Sequence, residues 1–198
     1  MEFELTKEML EHFKKDPVFY EYMKDIPLPN RPINPNHFNE LIRSVIYQQI
    51  SIKAGATVYE RLKELMLITP ENILAEETET IKQVGLTYRK VAYMKNLATA
   101  VMTGEVNLDN LKKMSNTEII KMLTAVKGIG VWTAEMFLMF SLARLDVSSY
   151  GDLAIRRGFK NIYNLEEEPT KKEFMLKVEV WGLYSTIAHF YLWHASHE

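Results

Sequence analysis

Apolar positions along this chain recur at intervals of three and four, the spacing of one helix face. Phe38, Leu41, Ile42, Val45 and Ile46 follow that rule, and Asn36 stands before them as a capping residue. Ser51 precedes a second apolar face made of Ile52, Ala56, Tyr59, Leu62 and Leu65/Met66. Thr69-Pro70 places a capping side chain before a proline at the first helical position, where no N–H is needed. Thr87 opens a helix through Val91, Met94, Leu97/Ala98 and Val101, closed by Gly104. Ser115 with Glu118 and Thr170 with Glu173 match the reciprocal capping box. They stand ahead of Ile119, Leu123, Val126 and of Phe174, Val178, Trp181. No run alternates strictly between apolar and polar, so the pattern predicts an all-α chain with essentially no sheet. Residues 27–35, with four prolines, form the one linker candidate.

Composition narrows the class. A length of 198 residues suits one compact domain or two intimate lobes, and 47% hydrophobic residues suffice for a packed core. The absence of cysteine removes disulfides, zinc–thiolate sites and iron–sulfur clusters. Met1-Glu2-Phe3-Glu4-Leu5 lacks a basic segment followed by an apolar one, so no signal peptide is read. The apolar stretch from Val131 to Ala143 is interrupted by Thr133, Glu135 and Ser141 and is too short to cross a bilayer. These features predict a soluble cytoplasmic protein with no membrane partner. The net charge of −2 hides a gradient, since residues 82–160 carry 12 Lys/Arg against 6 Asp/Glu. Such a basic region can form a one-sided footprint for nucleic acid, or be an ordinary fluctuation of the surface.

The segment 123–134, Leu-Thr-Ala-Val-Lys-Gly-Ile-Gly-Val-Trp-Thr-Ala, carries the most information. A capped helix runs into Lys127-Gly128-Ile129-Gly130, and an apolar helix follows at once. Two alternate glycines permit positive φ and leave the backbone N–H groups open. Those groups, with the first turn of the next helix through Thr133, suit a phosphate oxygen. A tight helix–helix turn is the plainer reading, but one glycine normally suffices for it.

Downstream stands Gly151-Asp152-Leu153-Ala154-Ile155-Arg156-Arg157-Gly158, about twenty residues past the hairpin. Upstream are Val45-Ile-Tyr-Gln-Gln-Ile-Ser51, Leu86-Thr-Tyr-Arg-Lys-Val-Ala92 and Phe13-Lys-Lys-Asp-Pro-Val18. In this order the segments resemble the helix-hairpin-helix DNA glycosylase superfamily, specifically its 3-methyladenine DNA glycosylase II branch, over nearly the whole chain. The resemblance implies an all-α fold of two helical lobes with a catalytic cleft between them. One lobe would span 36–146 with the hairpin at 118–142, and the other would combine 1–35 with 147–198. It also implies a hydrolase of base excision repair, a monomer acting on double-stranded DNA that contains damaged bases, in the prokaryotic nucleoid.

Residue roles follow from the same resemblance. Cleaving an N-glycosidic bond passes through an oxocarbenium-like state, for which a carboxylate near the sugar is the minimum requirement. Asp152 alone reads as a helix cap; the resemblance makes it the catalytic aspartate. Asp146 and Glu135 are read as a structural contact and a solvent-side helix residue. Trp181 and Trp132 are implied to line the base pocket, and Gln49 to fill the gap left by a flipped nucleotide. Lys127, Gly128, Ile129, Gly130 and Thr133 would hold DNA phosphate. Strand-cutting relatives carry a Schiff-base lysine where this chain has Trp132, so a monofunctional enzyme without lyase activity is expected. No cofactor is required, although the family holds K+ or Na+ through backbone carbonyls, here those of Thr124, Val126 and Ile129. His189, His194 and His197 lack a carboxylate at ligand spacing and are read as solvated or core histidines. Where the family pattern has an aromatic and a proline, this chain has Ser148 and Ser149, which predicts a less rigid loop around Asp152. Other readings keep the fold with uracil or oxidised purines as target, make it an inactive DNA-binding protein, or make it a helical scaffold unrelated to nucleic acid.

Overall fold

The computed structural model describes residues 2–29 and 31–197, and those residues form helices and no strand. Asn30, inside the proline-rich stretch, lies outside the described residues, as do Met1 and Glu198. The chain divides into two compact units, Met1–Ile33 with Ala143–Glu198, and Asn34–Leu142. The chain opens with α1 (Lys7–Phe13) and α2 (Pro17–Met23) in the first of these.

The central unit holds α3 (His37–Tyr47), α4 (Ile52–Leu65), α5 (Pro70–Ala75), α6 (Thr78–Gln83) and α7 (Tyr88–Met102), then α8 (Asn116–Thr124) and α9 (Val131–Phe140). The caps read from sequence close these helices. Asn36, Ser51, Thr69 and Thr87 each accept a backbone N–H three residues on, at 3.0–3.3 Å. Ser115 and Glu118 complete a reciprocal box at the head of α8. Each such cap contributes about 1 kcal/mol. The amphipathic α3 buries Leu41, Ile42, Val45 and Ile46, whereas α9 buries residues around its whole circumference. As the central core helix, α9 packs on α3 and α8. Each buried Leu, Ile or Phe side chain contributes roughly 1.5–3 kcal/mol relative to exposure.

The other unit is completed by α10 (Leu153–Ile162), α11 (Lys171–Trp181) and α12 (Ser185–Ala195). Its core helix is α12, which buries Ser185 through Trp193 without a polar face. Helix α10 lies directly against it. Gly158 makes that approach possible, since a Cβ there would stand 1.8 Å from the Leu192 carbonyl oxygen. The last glycine of the 151–158 segment is therefore fixed by packing. Asp16 anchors α2 from beneath. It is almost fully buried, caps Phe19 N–H, accepts the Tyr163 hydroxyl, and pairs with Lys177 at 3.1 Å.

Candidate active site

The hairpin runs from the end of α8 to the start of α9. Gly128 has φ 104°, and a Cβ on it would lie 2.1 Å from the Tyr93 ring, so only glycine fits. The expectation of positive φ at both glycines fails at Gly130. That residue caps α9 at φ −92°, ψ 173°, which any residue adopts, and a Cβ there would meet nothing within 4 Å. Its open surroundings and the N-terminus of α9 are what an approaching anion would meet. Lys127 is exposed beside them.

One phosphate-binding assignment needs correction, and a second narrows to the backbone alone. The Ile129 N–H donates to the Val126 carbonyl at 3.0 Å, and the side chain is buried, so Ile129 anchors the turn and offers no donor. Thr133 is 1% exposed, and its hydroxyl accepts the Gln48 amide at 3.0 Å. Only its backbone, in the first turn of α9, remains available to a ligand.

Gln48 is the partner that sequence reasoning missed. It ends α3, and its Nε2 donates both to the Gly128 carbonyl at 3.0 Å and to Thr133 Oγ1. One side-chain amide thus ties the two ends of the hairpin turn together. No local signal marks it, because both of its partners lie eighty or more residues away in the chain. Gln49 faces solvent and adopts φ 56°, a conformation costing a non-glycine residue about 1–2 kcal/mol. The residues just before it are engaged. Lys90 Nζ donates to the Ile46 carbonyl at 2.6 Å, and burial lowers its pKa, with Arg89 adding to the effect. The Tyr47 ring lies under the Arg43 guanidinium at 4.8 Å and close against Gly55.

Asp152 stands at the head of α10 as its cap, Oδ1 accepting the Ile155 N–H at 3.1 Å. The residue is half-buried. Asp146 is exposed and Glu135 half-buried on α9. Four residues of the loop leading to Asp152 are fastened by hydrogen bonds: Val147, Ser149, Tyr150 and Asp152 itself. Val147 N–H donates to Thr186 Oγ1 at 3.2 Å, and Ser149 N–H to His189 Nε2 at 2.9 Å. Asp152 N–H returns to the Ser149 carbonyl at 3.2 Å. Arg156 donates to the Tyr150 carbonyl at 2.9 Å, and the Tyr150 hydroxyl to the Pro169 carbonyl at 3.1 Å. Ser149 itself is completely buried.

His189 is a core histidine, as one of the sequence readings had it. Its Nδ1–H donates to the Ser185 carbonyl at 2.6 Å, which leaves Nε2 as the acceptor for Ser149 and fixes the neutral tautomer. Burial pushes its pKa down to about 4, only partly opposed by the Ser185 carbonyl and the Asp152 charge. Because the folded pKa lies below the ordinary 6.5, the unfolded chain binds the proton more readily. Stability is therefore complete above about pH 6.5 and is lost as pH falls through about 4, by a total of about 3 kcal/mol. Thermal unfolding from pH 7 to pH 4 checks this: His189→Gln should flatten the dependence, and an unchanged slope would refute it. His194 meets the Tyr22 hydroxyl at 2.8 Å, and His197 is exposed. Among the described residues no group of His, Asp and Glu could hold a metal ion.

The tryptophans divide. Trp132 is half-buried in the first turn of α9 and keeps accessible surface. Trp181 requires a correction, for its indole is 0% exposed. The rings of Phe19, Phe159, Phe174 and His189 surround it at 5.2–6.2 Å. A ring without an open face cannot stack on a flipped base, so Trp181 is core beneath the loop that carries Asp152.

Residues 42–182 match the family model of the HhH-GPD superfamily base excision DNA repair proteins. DNA-3-methyladenine glycosylase 1 of Schizosaccharomyces pombe is 36% identical over 174 residues, covering 85% of this chain and 76% of the relative. The fold is similar to the crystal structure of a DNA-3-methyladenine glycosidase from Bacillus halodurans, with TM-score 0.83 and 35% identity over 99% of this chain and 92% of that one. It is similar also to a 3-methyladenine DNA glycosylase of Schizosaccharomyces pombe in complex with abasic DNA. There the TM-score is 0.85 at 31% identity, over 97% of this chain and 98% of that one.

Proposed function

Because the chain belongs to the HhH-GPD superfamily of base excision DNA repair proteins, we propose that it hydrolyses the N-glycosidic bond of alkylated bases in duplex DNA. Bases of the 3-methyladenine and 7-methylguanine type are the substrates, and an abasic site is left. The observation that carries the reading is the loop of Asp152: a half-buried aspartate capping a helix, on a backbone fastened by side chains around it.

An N3- or N7-alkylated purine is cationic and departs as a neutral base, so bond breaking needs little acid assistance. Positive charge develops instead on the sugar. The Asp152 carboxylate stabilises that oxocarbenium character and takes a proton from the water that adds to C1′. Trp132 supplies the aromatic face against which the extruded cationic base stacks, and Gln49 occupies the vacated position in the duplex. Gly130 and the first turn of α9 bind a backbone phosphate, with Lys127 adding charge. The carbonyls of Thr124, Val126 and Ile129 suit a potassium or sodium ion. They are neutral oxygens with no carboxylate among them, and the Val126 oxygen would serve the ion alongside the Ile129 N–H it already accepts. Such an ion would add a positive charge at the turn that faces phosphate.

The position that would need a lysine for strand cleavage holds Trp132, so the enzyme is a monofunctional hydrolase. No helix among the described residues is long and apolar enough to cross a membrane. Incubation with methylated duplex DNA should release free alkylpurines into solution, identified by chromatography. Borohydride should trap no covalent complex, and strand breaks should appear only after alkali. Release of uracil or of an oxidised purine alone would redirect the substrate class, and a trapped adduct would assign the amine role to another residue.

A further inference from the structure

A continuous line of hydrogen bonds leads from the core of α12 to Asp152. The Ser185 carbonyl accepts His189 Nδ1–H at 2.6 Å, and His189 Nε2 accepts Ser149 N–H at 2.9 Å. The Ser149 carbonyl accepts Asp152 N–H at 3.2 Å, and Asp152 Oδ1 accepts Ile155 N–H at 3.1 Å. Every residue between the buried helix and the carboxylate is engaged through backbone atoms or the one imidazole. His189 has no accessible surface and touches no solvent. It stands among the rings of Phe174, Trp181 and Trp193 at 5.8–6.4 Å, which leave the imidazole no room to turn.

We infer that His189 is a positioning residue for Asp152, its neutral imidazole setting the height and direction of the carboxylate by gripping the Ser149 N–H. The inference rests on the reading of Asp152 as the catalytic carboxylate. Two physical points support it. An imidazole in an apolar core is expensive unless both nitrogens are partnered, and here one partner is the helix and the other is the loop. The grip also depends on residue 149 having an N–H. A proline at that position would have none, so the serine is what lets the core imidazole hold the loop.

The test compares His189→Leu, which removes both hydrogen bonds, with His189→Gln, whose side-chain oxygen reaches the position of Nε2. Single-turnover base release from methylated duplex DNA is measured at saturating enzyme, alongside Kd for abasic-site DNA and the thermal midpoint. Misplacement of a reacting group by about 1 Å costs on the order of 100-fold in rate, so His189→Leu should lose about 10- to 100-fold. Its Kd should change by no more than a few-fold, and His189→Gln should recover most of the rate. A merely structural histidine would lower the midpoint in both variants and leave the rate of the folded enzyme intact. A folded His189→Leu at the parent rate, or a His189→Gln as slow as the leucine variant, overturns the inference. Amide exchange gives a readout independent of turnover. Protection at Ser149 and Asp152 should fall in the leucine variant and persist in the glutamine variant, and equal protection in both overturns the proposal whatever the substrate. Parallel measurement of Asp152→Asn separates the cases: full activity there refutes the assignment of Asp152, whatever His189 does.

Discussion

Asp152→Asn is expected to abolish base release while binding abasic-site DNA within a few-fold of the parent. Asparagine is nearly isosteric and caps helices as well as aspartate, so the Oδ1 bond to the Ile155 N–H survives. The substitution removes charge and little else. A lost electrostatic stabiliser of the developing cation costs about 100- to 1,000-fold in rate. Losing the proton acceptor for water adds to that, typically by about 100-fold or more. The thermal midpoint should move by little, because the surrounding loop is held through other atoms. Single-turnover kinetics on methylated DNA and binding to an abasic duplex decide the matter together. Excision near the parent rate would take the reaction away from this carboxylate. Loss of folding would require the loop to depend on the charge, which the hydrogen-bond pattern gives no reason to expect.

At the hairpin, Gly130→Val should lower affinity for abasic DNA about 10- to 100-fold, the equivalent of losing a hydrogen bond or two to a charged acceptor. The cause is obstruction, not backbone strain. The Gly130 φ of −92° is ordinary, and a side chain there enters open space where the phosphate would come. The variant should fold and melt like the parent, and the loss should be uniform across DNA sequences. Gly128→Val differs in kind. It places a β-branched residue at φ 104° and drives its Cβ into the Tyr93 ring, so it should lose stability first. Lys127→Ala should be milder than either and reduce the salt slope of binding by about one. If Gly130→Val melts normally and grips abasic DNA as tightly as the parent, the hairpin is only a turn.

The contrast between the two glycines shows where sequence reading ends. The helices, their caps and the all-α class were legible because each cap needs one side chain at a fixed offset from an apolar period. Ser115 with Glu118 and Thr170 with Glu173 announce helix starts on local grounds alone. Which of two glycines tolerates no Cβ depends on Tyr93, more than thirty residues upstream, and no local pattern encodes that ring. Trp181 was misassigned for a similar reason. Resemblance of position does not report exposure, and exposure is settled by Phe19, Phe159 and Phe174 arriving from other helices. Gln48 was passed over because its value lies in a partner eighty residues away. The fastening of the Asp152 loop was hidden likewise, since it comes in part from Thr186 and His189 on α12.

The distribution of the tryptophans equips the protein with optical reporters. Trp181 and Trp193 are 0% and 6% exposed, while Trp132 is half-buried at the start of α9. Emission from the first two should be blue-shifted and indifferent to DNA. Both indoles sit within 6.2–6.4 Å of the His189 ring, close enough for an imidazolium to quench them. Acid titration would therefore be written in the blue component, and duplex binding in the red one carried by Trp132. A single emission spectrum, resolved into those two components, follows the core histidine and the first turn of α9 separately in the unlabelled protein.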